Sequence, residues 1–397
     1  MATGTLRAAL ILGLLSCVGP FSIDLYLPAM PLIGHALGAG VAETQMTVTA
    51  YFIAFGVAQL VYGPWSDSVG RKAPLYLGLA VFLAGSAACA MAPDIGALVI
   101  GRFVQGLGGA AVMVIPRAII RDMHTGPAAT RLMATVMLVI SVSPMLAPLA
   151  GSGLMALFGW REIFWALVAV GIVSLAITGF ALPETLSHAE RRPVDLGALT
   201  RGTARLLMDR TFMGLTLLGG FGMASFFVFL ASASFVYTES FGLSPTGFSL
   251  AFALNAIGFF TSSQFAARLG ERYGAPTVIR RATLGFATFT IGLLVVVAMG
   301  GGALPVIMAG LFCANACLGL VIPTTMVMAL DEHGDIAGLA SSLGGTLQML
   351  AGGVMIAATG PFFDSTALPM VAAIALCGLI ALTLSAAVLR PAAATGA

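Results

Sequence analysis

The run from Leu75 to Ala92, Leu-Tyr-Leu-Gly-Leu-Ala-Val-Phe-Leu-Ala-Gly-Ser-Ala-Ala-Cys-Ala-Met-Ala, carries no charge. It lies between the polar stretch Gly63-Pro64-Trp65-Ser66-Asp67-Ser68-Val69-Gly70-Arg71-Lys72 and the turn Pro93-Asp94. A helix of about 20 such residues, rising about 1.5 Å each, crosses a hydrocarbon core about 30 Å thick. A barrel strand would alternate over about ten residues, and this run does not. Breaking the rest of the chain at charges, prolines and Gly-rich turns repeats the pattern. The predicted spans are 7–31, 43–63, 74–92, 96–117, 131–155, 161–182, 211–236, 246–267, 277–299, 303–328, 337–359 and 367–389, twelve in all. Helices suit lipid because they pair their own backbone groups. The first run holds Asp24 and prolines, with no convincing cleavage site after it, so it reads as a span and not a removed signal.

Composition agrees. Of 397 residues, 59% are hydrophobic and 9% charged. A soluble protein of this length would carry about 100 charged residues; this chain carries 18 basic and 16 acidic ones. That excludes a soluble globular enzyme, and the hydrophobicity excludes a disordered chain. A net charge of +2 without a basic run argues against a nucleic-acid partner. Cys17, Cys89, Cys313, Cys317 and Cys377 all lie in apolar stretches and read as small buried hydrophobes, not a disulfide framework or metal site. His35, His124, His188 and His333 show no metal spacing. Gly106-Leu-Gly108-Gly109 lies inside a span, so a dinucleotide loop is rejected, and no hydrolase triad is present. The expected class is an all-α polytopic membrane protein.

Positive charge sets the expected orientation. With the amino terminus inside, inner loops hold Arg71 and Lys72; Arg117, Arg121 and Arg131; Arg191, Arg192, Arg201, Arg205 and Arg210; and Arg268, Arg272, Arg280 and Arg281. Arg7 and Arg390 flank the ends, and the outer loops hold only Arg161. Both termini are therefore expected in the cytoplasm. The longest polar stretch, 183–210, divides the chain into six-span halves, 1–182 and 211–397. Asp67 and Gly70 after span two are echoed by Glu271 and Gly274 after span eight. Two such halves with substrate between them is a transporter plan. Residues near Leu196–Leu207 are expected to form an amphipathic connector on the inner surface.

Charge inside the membrane is the sharpest signal. Asp24 falls in span one and Arg102 in span four. A buried charge costs about 2.5–3.5 kcal/mol on insertion scales and is rarely idle. Counting from Pro31 and from Pro93-Asp94, both lie about 10–12 Å in from the outer side. The functional reading makes Asp24 a protonatable carboxylate and Arg102 its modulator. The alternative is a static salt bridge between the two spans.

Around Arg102, Gln105, Gly106, Gly109 and Met113 recur at helical spacing. Span five carries Pro144, Pro148, Gly151, Ser152 and Gly153, a bend followed by small residues that let another helix approach. In the inner stretch Gly63–Lys72, glycine and proline suggest a tight turn. Asp67 is expected to pair with Arg117 or Arg121 in a charge cluster that latches one state; a solvated turn is the plain alternative. Gln59, Asn255, Gln264, Asn315 and Gln348 are polar residues within spans. They line a cavity or bond between helices. Tyr26, Tyr51, Phe55, Phe226, Phe227 and Phe229 supply aromatic surface, as core, lipid-facing surface or substrate wall.

These motifs together resemble the major facilitator superfamily, and within it the twelve-span drug:proton antiporters of the bicyclomycin/chloramphenicol-resistance (Bcr/CflA) branch. Gly63…Asp67…Gly70-Arg71-Lys72 is similar to the superfamily's signature after span two. Arg102-Phe-Val-Gln105-Gly106-Leu-Gly108 resembles the span-four motif whose arginine is tied to proton coupling. Ala147-Pro148-Leu-Ala-Gly151-Ser152 resembles the span-five antiporter motif Gly-Pro-x-x-Gly-Gly, with Ala147 and Ser152 in place of two glycines. Ser22-Ile-Asp24-Leu-Tyr26-Leu-Pro28-Ala-Met-Pro31 is similar to the branch's span-one signature. The match runs along nearly the whole chain.

The resemblance implies halves that rock about a central cavity. A periplasmic proton and a drug from the cell compete for Asp24. No second acid lies deep in span one, so neutral or singly cationic apolar substrates are expected, and few or no dications. No cofactor is expected, since the proton gradient drives the cycle. Partners are then a small drug or metabolite, protons and the lipid bilayer; a monomer in a bacterial inner membrane is expected. One rival is a proton-coupled symporter or facilitator for a small nutrient or metabolite on the same fold. An intramembrane enzyme or receptor is the other, and it would need a catalytic cluster or output domain.

Overall fold

The computed structural model describes residues 3–389 apart from 125 and 192; the side chains of residues 3–7, 126, 127, 129, 130 and 335 also fall outside that description. Arg192, Arg390 and the Arg7 side chain, counted in the charge asymmetry, thus lie outside the described residues.

Among the described residues all regular structure is helical. Twelve helical segments are long and apolar enough to cross a membrane: Ala8–Leu37, Val41–Val69, Lys72–Ala90, Ile95–Met123, Arg131–Phe158, Arg161–Phe180, Arg210–Ser240, Pro245–Tyr273, Ala275–Ala298, Leu304–Asp331, Ala337–Phe362 and Ala367–Val388. All twelve match predicted spans. Several run beyond the apolar stretch, because a helix continues into water wherever its end residues permit.

The stretch 63–72 is mostly helix, not the loop its composition suggests. Span two continues through Val69 with Pro64 inside it. Ser66 and Ser68 donate back to the carbonyls of Gly63 (2.9 Å) and Trp65 (2.8 Å), as helical serines do. The turn is confined to Gly70 and Arg71, and Gly70 has φ +101°, a conformation glycine adopts without steric cost.

Span one is not continuous. Its first helix ends at Asp24, a 3₁₀ turn covers Leu27–Ala29, and a short helix follows over Met30–Leu37. Pro28 and Pro31 lack the N–H groups that would close helical bonds on the carbonyls four residues earlier, Asp24 and Leu27. The proton-carrier candidate therefore stands at a break, and the span runs on to Leu37, not ending near Pro31. Span four is also divided, into Ile95–Gly109 and Ala111–Met123.

Lipid offers no hydrophobic drive between helices, so close packing holds them. A Cβ on Gly108 would meet the Phe82 backbone nitrogen at 2.3 Å, and one on Gly151 the Leu25 carbonyl oxygen at 2.1 Å. Gly108 on span four and Gly151 on span five are thus contact surfaces.

The chain divides into two compact units. One comprises Met1–Leu196 with Tyr237–Ala253; the other comprises Gly197–Val236 with Leu254–Ala397. Within the first, the Ser249 hydroxyl donates to the Pro148 carbonyl at 2.9 Å, and His35 lies 3.7 Å from Glu239. In the second, Asp209 caps the helix of span seven by accepting from the Phe212 amide at 2.8 Å, and His333 lies 3.3 Å from Asp209.

Candidate transport site

The first unit brings Asp24, Tyr26, Tyr51, Phe55, Arg102 and Gln105 together. Arg102 is fully buried. Its Nη1 donates to the Ser22 carbonyl at 3.1 Å and to Gln105 Oε1 at 2.6 Å. Gln105 is held in turn by Ser86, whose hydroxyl accepts from Nε2 at 2.8 Å and donates to the Phe82 carbonyl. The guanidinium carbon lies 4.8 Å from the Tyr26 ring centroid and 4.5 Å from that of Tyr51. Desolvated contacts of this kind reach about 2 kcal/mol each. Among the described residues Nε and Nη2 have no hydrogen-bond acceptor.

Both tyrosines are themselves fixed. The Tyr26 hydroxyl bonds with Thr47 Oγ1 at 2.8 Å, and its ring lies 5.7 Å from that of Phe164. The Tyr51 hydroxyl bonds with Ser22 Oγ at 2.8 Å and donates to the Gly19 carbonyl at 3.3 Å. Phe55 stacks on the Tyr51 ring at 5.8 Å. Tyr26 and Tyr51, expected as cavity wall, are both fully buried and flank the arginine.

Asp24 is buried at 5% exposure. Ser143 of span five faces its carboxyl. Among the described residues no cation lies within 4.0 Å of it, so Asp24 and Arg102 do not form the static salt bridge considered above. Tyr51 stands within electrostatic reach of both charges. Such a carboxyl can take up or lose a proton without first breaking an ion pair.

On the polar flank of span two, Asp67 pairs with Arg71 and not with Arg117 or Arg121. The Gly70 turn returns Arg71 over the helix end, four residues on, whereas Arg117 lies inside span four and Arg121 is exposed. Arg71 also donates to both oxygens of Asp122, by Nε at 2.7 Å and Nη2 at 3.0 Å. Glu184 joins this group from beyond span six. It accepts the amides of Arg71 (2.9 Å), Lys72 (3.1 Å), Thr185 (3.1 Å) and Leu186 (3.2 Å). Partial burial pushes the Glu184 carboxyl up, but those four amides outweigh it and hold it below the ordinary carboxylate range. Asp67, Arg71 and Asp122 line a cleft of about 350 Å³ together with Thr185, Leu186 and Glu190.

Of the span-five motif, Pro144, Pro148 and Gly151 are buried, and Gly151 lies against Leu25, the neighbour of Asp24. Gly63 and Met113 are half-buried, and Gln59 is buried at 6% exposure. The remaining cavity candidates lie in the second unit. Asn315 donates to Asn255 at 3.3 Å, Phe226 stacks on Phe259 at 5.7 Å, Phe229 is buried, and Gln348 is half-buried beside Gly219. Gln264 is exposed.

Ser143, Asp122, Glu184 and Ser249 join these groups without having been candidates, whereas Ser22 opens the span-one motif. The adjacent charges Arg121-Asp122 were a signal for one; the serines gave none.

Twelve membrane-length helices among the described residues thus bury a carboxylate and an arginine. The sequence profile of the Major Facilitator Superfamily matches residues 12–356, and the chain belongs to that superfamily. It is 33% identical to the uncharacterized MFS-type transporter YdgK of Bacillus subtilis (strain 168), over 93% of this chain and 92% of that one. It is 28% identical to the bicyclomycin resistance protein homolog of Haemophilus influenzae, over 94% and 93%. Among solved structures it resembles a D-xylose–proton symporter, with a TM-score of 0.73 at 16% identity, over 97% and 96%. That last likeness speaks to fold alone.

Proposed function

We propose that this chain is a proton-coupled antiporter that exports small apolar drugs or metabolites, neutral or singly cationic, across a bacterial inner membrane. The observation that carries the reading is Asp24: buried, at a helix break, with no cation within 4.0 Å among the described residues. A carboxylate so placed binds one proton or one ligand, and competition for it couples the two flows. The bicyclomycin-resistance name of one relative supports a drug cargo. The similarity to a D-xylose–proton symporter means that fold does not choose between antiport and symport. The Pro144, Pro148 and Gly151 motif favours antiport.

In this reading residues 1–182 and 211–397 are the two rocking halves, 183–210 connects them, and both termini are cytoplasmic. Asp67, Arg71 and Asp122, clasped by Glu184, form the inner gate. Asn255, Gln348 and Phe226 belong to the substrate wall. The transporter works as a monomer, with the proton gradient as its energy source and no cofactor.

Ligand-induced proton release from purified protein in weak buffer tests this. Wild type is expected to release protons on binding a phenicol, a monocation or a neutral dye, and Asp24→Asn to bind without release. Equal release from both proteins, or none from wild type with a ligand that binds, defeats the competition scheme.

A further inference from the structure

A buried guanidinium without a carboxylate partner needs an account, because an uncompensated buried charge is strongly unfavourable. Arg102 has two such deficits, at Nε and Nη2. It already touches the Ser22 carbonyl, two residues from Asp24. Asp24 is the only acid within the predicted apolar core of the first six spans, 7–31 through 161–182, apart from Glu43 and Glu162 at helix starts. The expected resting state of such a pair is closure into a salt bridge, and the two are apart. Two aromatic rings lie against the guanidinium. Tyr51 stacks on the guanidinium, reaches Ser22 with its hydroxyl, and lies near enough to feel both charges.

We propose that Tyr51 is a positioning residue for proton exchange at Asp24: with Tyr26 it cages the Arg102 guanidinium, so the cation does not close on the Asp24 carboxylate. The inference rests on Asp24 being the proton carrier. The rings stabilise the cation through their negative faces, which carry no net charge and do not titrate near neutrality. Asp24 is then free to cycle between protonated and ionised forms. A direct Arg102 partner would hold it ionised, since an opposite charge lowers a carboxyl pKa. The titratable and charged groups around the site are Asp24 and Tyr26 from span one, Tyr51 from span two, Cys89 from span three and Arg102 from span four. Span five contributes the neutral Ser143. Gly109 completes the fit: a Cβ there would meet the Tyr51 hydroxyl at 2.7 Å, so the ring's seat depends on the absence of a side chain.

Infrared titration of the full chain in lipid bilayers, following the carboxyl band that disappears in Asp24→Asn, tests the cage without any drug. Tyr51→Leu is expected to move the midpoint to lower pH by at least about one unit, a tenfold loss of proton affinity. Tyr51→Phe keeps the ring and is expected to stay at the wild-type midpoint. In an Arg102→Gln background Tyr51→Leu is expected to produce no shift. Should Tyr51→Leu not yield folded protein, Tyr26→Leu removes the other wall and carries the same expectation. An unchanged midpoint in the folded leucine variant, or an equal shift without Arg102, overturns the cage. A band that never titrates overturns both the cage and the carrier role. If the band titrates but ligand releases no proton, the transport reading fails and the midpoint comparison still judges the cage.

Discussion

At Gly151 the demand on a single residue is absolute: an added methyl would sit 2.1 Å from the Leu25 carbonyl oxygen, and backbone cannot step aside as a side chain can. Gly151→Ala should therefore push span five off span one and destabilise the protein by about 1–3 kcal/mol. Gly153→Ala, with nothing within 4 Å of its Cβ, should leave the thermal midpoint in detergent unchanged. Equal midpoints for both variants would show that the Leu25 contact does not hold the helices. Residues differ in how legible they are. Asp24 and Arg102 stood out in the sequence because charge in lipid is rare. Tyr51 did not, because an aromatic in an apolar helix fits a core, a cavity wall or a lipid face equally well, and only tertiary contact chooses among them. Asp122 and Glu184 were overlooked because acids at helix ends are common; their meaning depends on an arginine 51 residues away and on amides 112–113 residues away.

Among elements, the start of span three shows how a distant residue can cap a helix. The first amides of a helix lack intrahelical partners. Arg71 and Lys72 find theirs in Glu184. Loss of a cap costs about 1 kcal/mol, so Glu184→Ala should speed hydrogen exchange at the Arg71 and Lys72 amides about fivefold. The effect depends on pH in a defined direction. The folded carboxyl titrates below its ordinary value of 4.5. Protection is therefore complete at neutral pH and is lost as pH falls through that depressed value. Unchanged exchange in the alanine variant would remove Glu184 from the inner gate. The existence of all twelve spans was legible because length and apolarity suffice for it. Their ends and breaks were less so. Pro64 reads as a turn former yet lies within a helix, whereas Pro28 and Pro31 do interrupt span one. A proline removes one donor, and whether the helix survives depends on neighbours that periodicity does not reveal.

At the scale of the whole molecule, membership of the superfamily follows from a match over residues 12–356, and alternating access is the motion its two-half plan implies. The direction of coupling is the part that residues must supply. The proposed exchange rests on the buried carboxylate at the break in span one, the arginine held by aromatics, and span five seated on Leu25. The most direct measurement uses purified protein in sealed liposomes with an imposed pH gradient and a fluorescent apolar monocation. Substrate should move uphill in the direction opposite to the protons, and Asp24→Asn should abolish that accumulation. Accumulation in the same direction as the protons, or undiminished uphill transport by Asp24→Asn, would contradict the account.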